Sequence, residues 1–246
     1  MESADRFEFK FLLAACQCEA LLNTFGPHLQ PDTLGGPSGA YPVVSLYYDT
    51  PDFDAYWDAW RRVPSRRKLR VRVYGSRDGA IPPATFLEVK CKVDGRGVKH
   101  RLQTDLSSAL ALASGLPPRE EPPVRARTVL EQVQQLVQEE RVLPCCLIRY
   151  QRRAFSLSDL PEEPEPLEEP LRITLDESLQ VRFEQLLPEP DDSRFTQFLL
   201  PPERRILEIK GAGAVPYTLS TFLGRNRIQP ISFSKYCHAM RPRLSA

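Results

Sequence analysis

The sequence predicts an α+β fold in which an antiparallel β-sheet closes into a barrel, with charged faces lining the lumen and helices packed outside. Three observations carry this reading. Phe7-Glu8-Phe9-Lys10, Leu87-Glu88-Val89-Lys90 and Leu207-Glu208-Ile209-Lys210 each alternate apolar and charged residues, the period-two signature of a β-strand. Each such strand carries a carboxylate and an ammonium roughly 6–7 Å apart on one face. Finally, strands outnumber helices and follow one another through short connections, which favours antiparallel pairing.

The elements follow in order. Arg6 to Leu13 is the first strand, with Arg6, Glu8 and Lys10 on one face and Phe7, Phe9 and Phe11 on the other. A helix follows from about Ala14 to Phe25, and the GGPSG-containing stretch from Gln30 to Tyr41 reads as a loop. Val43 to Tyr48 is a strand. A short helix then runs through Trp60, with Thr50 as N-cap and Pro51 at its first position.

Arg67 to Tyr74 places Lys68, Arg70 and Arg72 on one face. Phe86 to Val93 and Val98 to Thr104 flank a glycine-containing turn and form a hairpin, the second strand carrying Lys99 and Arg101. Leu106 to Leu116 and Val124 to Glu140 are helical. Cys145 to Leu157 is a long strand with Tyr150 and Arg152 on a common face. Leu171 to Leu175 carries Arg172 and Thr174. Arg204 to Lys210 carries Arg204, Glu208 and Lys210, and helices at Pro216–Arg225 and Phe233–Met240 complete the pattern. The helical spacing of the aromatics from Phe53 to Trp60, beside Tyr47 and Tyr48, favours packing over base stacking.

Composition excludes several functions. No apolar run approaches the roughly 18 residues that span a membrane, and MESADRFEFK lacks the pattern of a secretory signal. A cytoplasmic protein is the expectation. The six cysteines show no CxxC pair and the three histidines no interleaved spacing, which disfavours zinc, a disulfide framework and histidine-based catalysis. Gly211-Ala212-Gly213 is a strand-to-helix turn rather than a nucleotide loop.

The formal net charge of +1 conceals a segregation. The acidic residues gather in Pro-rich loops such as Pro161–Pro170, while the strands carry the cations. Besides Arg204, twelve cations stand on alternating strand positions: Arg6, Lys10, Lys68, Arg70, Arg72, Lys90, Lys92, Lys99, Arg101, Arg152, Arg172 and Lys210. Only Glu8, Glu88 and Glu208 oppose them there. Like charges on neighbouring strands destabilise a sheet, so a lumen for a polyanion explains the pattern better than a solvated face.

In order along nearly the whole chain stand RFEFKF, SLYYDTPDFDAYW, RKLRVRVYG, FLEVKCKVDGRGVKHRL, Tyr150-Gln151-Arg152, LRITLD, ILEIKGAGAVP and SFSKY. Together they resemble the VTC (vacuolar transporter chaperone) domain, the catalytic domain of polyphosphate polymerases among the CYTH-related triphosphate tunnel metalloenzymes. The resemblance implies one domain over residues 1–246: a closed tunnel of eight antiparallel strands, open at both ends, with helices outside. It implies transfer of the γ-phosphoryl of ATP or another nucleoside triphosphate to inorganic polyphosphate or pyrophosphate. The product chain would pass out through the tunnel, and there is room for a membrane protein partner in export.

Carried onto this sequence, the family pattern places Lys10, Arg70, Arg72, Lys90, Arg152 and Lys235 at the reacting phosphates. Lys68, Lys92, Lys99, Arg101, Tyr150, Arg172, Lys210 and Ser234 would bind the substrate, although Tyr150 also suits plain wall packing. Ser234-Lys235-Tyr236 stands near a helix start, where backbone N–H groups favour phosphate.

Glu208 is the foremost candidate ligand for Mn²⁺ or Mg²⁺, with Glu8 and Glu88 behind it. The alternative is that each carboxylate only pairs with nearby cations. CYTH hydrolases open with Glu-x-Glu-x-Lys, whereas this chain has Arg6-x-Glu8-x-Lys10, a departure that favours polymer synthesis over hydrolysis. The competing readings are a tripolyphosphatase or nucleoside triphosphatase on the same scaffold, and a non-catalytic polyanion-binding module. Nucleic acid is not expected as a partner, since the bases would need an accessible stacking platform.

Overall fold

A computed structural model describes residues 6–76, 83–94, 96–119, 121–160, 163, 167 and 169–244. The middle of the acidic loop, including Glu162, Glu165 and Glu168, lies outside the described residues, as does Gly95 of the hairpin turn.

In chain order the elements are β1 (Arg6–Leu13), α1 (Ala15–Phe25), β2 (Leu29–Pro31), β3 (Ala40–Asp49), α2 (Asp54–Trp60), β4 (Arg66–Tyr74), β5 (Ala84–Val93) and β6 (Arg96–Thr104). There follow α3 (Leu106–Ala113), α4 (Val124–Gln138), β7 (Leu143–Leu157), β8 (Leu171–Arg182), β9 (Gln197–Phe198), β10 (Arg205–Ala212), α5 (Tyr217–Arg225) and α6 (Lys235–Leu244). All described strand pairs are antiparallel, in the order β1-β10-β8-β7-β3-β4-β5-β6, with β2 beside β7 and β9 beside β8.

The alternation read from the sequence sorts the side chains onto two faces of this curled sheet. On the convex face, Phe11, Leu13, Ile173, Leu207 and Ile209 pack with Leu21 and Phe25 of α1 and Leu219 of α5. Val71, Leu87 and Val89 pack with Ala109 of α3 and Val129 and Val133 of α4. Each fully buried aliphatic side chain contributes about 1.5–3 kcal/mol relative to exposure, so the convex layers fix the register that aims the charged residues the other way.

The sheet does not close. Among the described residues β1 and β6 make no pairing, so the architecture is an open half-barrel rather than the closed eight-stranded tunnel expected. The physical reason lies on the outer edge of β1. Pro230 bridges Phe11 there, and the Ile231 amide donates to the Lys10 carbonyl at 2.7 Å. This segment crosses the β1 edge and leads α6 onto the concave face.

Helices outside is therefore correct for α1, α3, α4 and α5 but not for α6. Tyr236, Ala239 and Met240 pack on concave-face residues Tyr47, Cys146, Ile148, Leu179 and Val181, together with Tyr56 of α2. These positions belong to the end of the sheet where β7 begins and β3 and β8 finish, so α6 and α2 cover that end.

Two local expectations also change. Residues 30–41 are not a plain loop, because Leu29–Pro31 pairs with β7 and Thr33–Ser38 forms a 3₁₀ turn before β3. The helix expected from Pro51 begins at Asp54, after Phe53 in a left-handed conformation (φ 59°). The Thr50 hydroxyl accepts from the Asp54 amide, but Asp49 is the main anchor, accepting from the amides of Thr50, Ala55 and Tyr56. Among the described residues no helix is long and apolar enough to cross a membrane.

Candidate functional site

The three Glu-x-Lys strands turn out not to be equivalent. β1 and β10 pair so that Glu8 stands opposite Lys210 and Lys10 opposite Glu208. Lys10 Nζ lies 3.0 Å from Glu8 Oε1 and 3.7 Å from Glu208 Oε2; Lys210 Nζ lies 2.7 Å from Glu208 Oε1 and 3.5 Å from Glu8 Oε2. Two carboxylates and two ammoniums thus share one square. Burial alone would raise the pKa of Glu8, but Lys10, Lys210 and Lys90 outweigh it and hold it at about 2. Burial opposes the same outcome at Glu208, where Lys210 and Lys10 also win and lower the pKa.

On β5 the pattern divides. Glu88 stands opposite Arg70 on β4 and Arg101 on β6, whereas Lys90 stands opposite Lys68 and Lys99. Glu88 is fully buried and bound by Arg70 at 2.6 Å, with Lys99 at 3.5 Å. Lys90 makes no ion pair among the described residues. Lys90 is solvent-exposed yet enclosed by the concave face; that enclosure lowers its pKa first of all, Lys10, Arg70 and Lys210 add to this and Glu8 opposes them. Glu8 and Lys10 of β1 and Lys210 of β10 are near enough to Lys90 of β5 to act on its charge.

Next to that row stand two deeper guanidiniums. Arg70 donates to the Tyr47 hydroxyl at 3.3 Å, and Arg72 donates to Ser45 Oγ at 2.9 Å and to the Tyr74 hydroxyl at 3.4 Å. Tyr47 stacks on Tyr236 with ring centroids 5.3 Å apart. The Tyr47 phenol is pulled below its usual pKa, because Arg70, Arg72 and Lys235 overcome the effect of burial. The sequence placed Tyr47 and Tyr48 together in an aromatic packing cluster. The structure separates them, Tyr48 to the convex core and Tyr47 to the cationic face.

One acidic residue escaped the sequence reading. Asp176, fully buried, binds Arg152 at two points (2.7 and 2.8 Å) and Lys235 at 2.6 Å. The strand expected to stop at Leu175 continues to Arg182, which puts Asp176 on the same face as Arg172 and Thr174. Burial would raise its pKa, but Arg152 and Lys235 push it well below the carboxylate range. The Tyr150 ring lies under both cations, 5.4 Å from Arg152 and 4.6 Å from Lys235, and its buried hydroxyl has no partner among the described residues.

The remaining expected residues spread along the face. Lys68 lies over the Tyr236 ring and donates to Cys237 Sγ at 3.0 Å. Lys92 stands opposite Arg66, and Arg101 lies over the Phe86 ring. Arg172 is at the rim, half-exposed and paired with Asp32 at 2.8 Å. Ser234 precedes α6, and its hydroxyl accepts from the Cys237 amide at 3.3 Å. Arg6 lies at the exposed rim beside Glu169.

Lys10, Lys68, Arg70, Arg72, Lys90, Lys99, Arg152, Lys210 and Lys235 therefore converge with fewer carboxylates among the described residues, Glu8, Glu88, Asp176 and Glu208, while Asp49 is taken up by Tyr236 and the start of α2. The surplus of cations marks a surface built to receive negative charge. Among the described residues no three His, Cys, Asp or Glu side chains gather as a metal site. The Glu8–Glu208 pair nevertheless has the oxygen donors that Mg²⁺ or Mn²⁺ takes in part, alongside substrate phosphates. Glu88, enclosed and held by Arg70, offers less.

Solved structures similar to this chain include a candidate adenylate cyclase from Bacillus halodurans, at 13% identity and TM-score 0.48, covering 95% of this chain and 96% of that one. A candidate adenylyl cyclase from Hippeastrum, itself described as having a dominant triphosphatase activity, matches at 14% identity and TM-score 0.48 over 97% and 96% of the two chains. One from Vibrio parahaemolyticus matches at 12% identity and TM-score 0.42 over the full length of both. These likenesses are too distant to bear on the chemistry, and no curated protein matches the chain. The VTC domain family model, by contrast, matches residues 5–242, and the chain belongs to that family.

Proposed function

We propose that this VTC-domain protein is a polyphosphate polymerase that transfers the γ-phosphoryl group of a nucleoside triphosphate, ATP foremost, to the end of a growing inorganic polyphosphate chain. The observation that carries the reading is the cross-strand row Lys68–Lys90–Lys99, with Lys90 unpaired at its centre. Three ammoniums on adjacent strands repel one another, and the arrangement is sensible only for a ligand bearing several negative charges in line.

Bringing two polyanions together is the main obstacle in such a transfer, and positioning with charge neutralisation overcomes most of it. Arg70 and Arg72 present guanidinium forks to phosphate oxygens, while Lys90 and Lys10 supply charge from opposite sides of the concave space. Arg152 and Lys235 are held in place by Asp176 and aimed past the Tyr150 ring. The Tyr150 hydroxyl, buried and unpartnered, is free to donate to a phosphate oxygen. The nucleophile, a terminal phosphate oxygen, is already ionised near neutral pH, so no general base is required.

Glu208 and Glu8 are the residues that would hold Mn²⁺ or Mg²⁺. An ion held there would supply positive charge against the negative charge of the bound phosphates. Lys10 and Lys210 now occupy those carboxylates and would turn toward phosphate instead.

Incubation with ATP and Mn²⁺, followed by separation of chains from orthophosphate, tests the reading. Long chains and ADP are the expected products. Orthophosphate alone would overturn it in favour of a triphosphatase, and binding without turnover in favour of a non-catalytic module.

A further inference from the structure

Cys145 and Cys146 are adjacent in β7, and regular alternation would send them to opposite faces of the sheet. The strand pairing does otherwise. Tyr47 pairs with Cys146, but the next residue, Tyr48, pairs with Pro144, so Cys145 is the extra residue of a β-bulge. A bulge leaves one residue out of the ladder and re-aims its side chain. Both thiols are free and both belong to the cluster beneath α6, Cys146 buried and Cys145 partly so. Cys145 Sγ donates to the Tyr47 carbonyl at 3.2 Å and lies 3.9 Å from the Tyr236 hydroxyl. Cys145 also acts on the Cys146 thiol as a hydrogen-bonding neighbour and, together with burial, pushes its pKa well above the usual thiol value.

A third sulfur stands at the same place. Met240 of α6 is buried in the same cluster as Cys146 and, with Cys145, lines a cavity of about 230 Å³. Pro51, Leu143 and Arg243 also line this cavity and are exposed, so it can be reached from solvent. Ordinary packing explains Cys146 alone, because a buried free thiol behaves as a small hydrophobe. It does not explain a second thiol brought out of register to the same side, facing a cavity with a thioether in its wall.

We propose that Cys145, Cys146 and Met240 form a three-sulfur site for a soft monovalent metal ion of the Cu(I) class, at the end of the half-barrel that α6 and α2 cover. The thioether puts this cluster outside the His, Cys, Asp and Glu sets that hold harder ions. No histidine lines the cavity or joins the cluster among the described residues. Asp49 lines it, but its oxygens are taken by Tyr236 and by the amides of Thr50, Ala55 and Tyr56. Thiolate and thioether donors without imidazole or a free carboxylate select Cu(I) over zinc. As the ion binds, both thiols release their protons to solvent. The two thiolates then exceed the charge of the ion by one, and Arg243 is near enough to Cys146 to offset it.

The test titrates the whole reduced protein with Cu(I) in the absence of oxygen, in competition with a chromophoric Cu(I) chelator, and reads the ligands by X-ray absorption. A single ion held against the chelator by sulfur alone is the expected result. Cys145→Ser should lower the affinity about 100-fold or more and Met240→Leu about tenfold, at or above the scale of losing a ligand's hydrogen-bond partner. Cys145 is partly exposed and leucine conserves the volume of methionine; thermal unfolding verifies that both variants fold. Cys16→Ser and Cys237→Ser should keep the wild-type affinity. Failure to hold Cu(I) against the chelator, an affinity unchanged in Cys145→Ser, or an equal loss in Cys237→Ser would overturn the site. Binding of Zn²⁺ as tight as that of Cu(I) would overturn its class.

Discussion

Asp176 grips Arg152 through two parallel contacts, Nε–Oδ1 at 2.7 Å and Nη2–Oδ2 at 2.8 Å, and takes Lys235 with the same carboxylate at 2.6 Å. One fully buried anion thus holds two cations from β7 and α6. Removing one member of a buried ion pair costs about 3–5 kcal/mol, so Asp176→Asn lowers the unfolding midpoint sharply. Added tripolyphosphate restores more of that midpoint in the variant than in wild type, because the ligand then supplies the missing negative charge. Thermal unfolding with and without tripolyphosphate measures both effects.

Lys90 is in the opposite situation. Enclosure by the concave face and the neighbouring Lys10, Arg70 and Lys210 lower its pKa, opposed by Glu8, but Lys90 is solvent-exposed, so the cost of its charge is small. Lys90→Gln therefore leaves thermal stability unchanged or slightly raised at neutral pH. The same change lowers phosphoryl transfer by about 100-fold or more, the scale of losing one preorganised electrostatic contact. A variant that loses stability along with activity would show Lys90 to be structural.

The square of Glu8, Glu208, Lys10 and Lys210 predicts which carboxylates govern metal demand. Glu208→Gln raises the Mn²⁺ concentration for half-maximal turnover by about tenfold or more, and Glu8→Gln shifts it the same way. Glu88→Gln leaves the metal demand where it was while lowering stability. Metal titration of turnover in the three variants distinguishes ligation from ion pairing.

Glu88 also makes a pH prediction. Its ordinary pKa is 4.5; burial would raise it, but Arg70, Arg72 and Lys99 hold it at about 2 in the folded protein. Its stabilising contribution is complete above about pH 4.5 and is lost as pH falls to about 2, on the order of 3 kcal/mol across that window. Glu88→Gln should be less stable at pH 7 and show a flatter acid limb in urea unfolding between those pH values. An unchanged acid limb would assign the transition to other carboxylates.

Much of the site was legible because strand alternation is a local property. Lys68, Arg70 and Arg72 share a face whatever the sheet does beyond them, and the Glu-x-Lys repeats marked β1, β5 and β10. Asp176 was missed only because β8 was ended one residue too early; continuing the alternation from Arg172 and Thr174 reaches it. The lack of closure was not legible, because β1 loses its outer edge to Pro230–Ile231, a non-local contact made by residues with no strand pattern of their own. Nor did the sequence of α6 reveal that it lies inside the curl, since amphipathicity reports that a helix has a buried face and not which side of a sheet it covers.

The pairing of β1 with β10 has a consequence for how the molecule comes into being. Arg6 finds its cross-strand neighbour in Ala212, so β1 must wait for β10, its one strand partner among the described residues. Until then Phe7, Phe9 and Phe11 lie on a segment with both edges free, the kind of strand that recruits foreign partners. Long-range pairing of this type slows folding. Before folding is complete the chain therefore carries an adhesive phenylalanine-rich strand, and that hazard ends when β10 docks and the segment before α6 seals the other edge.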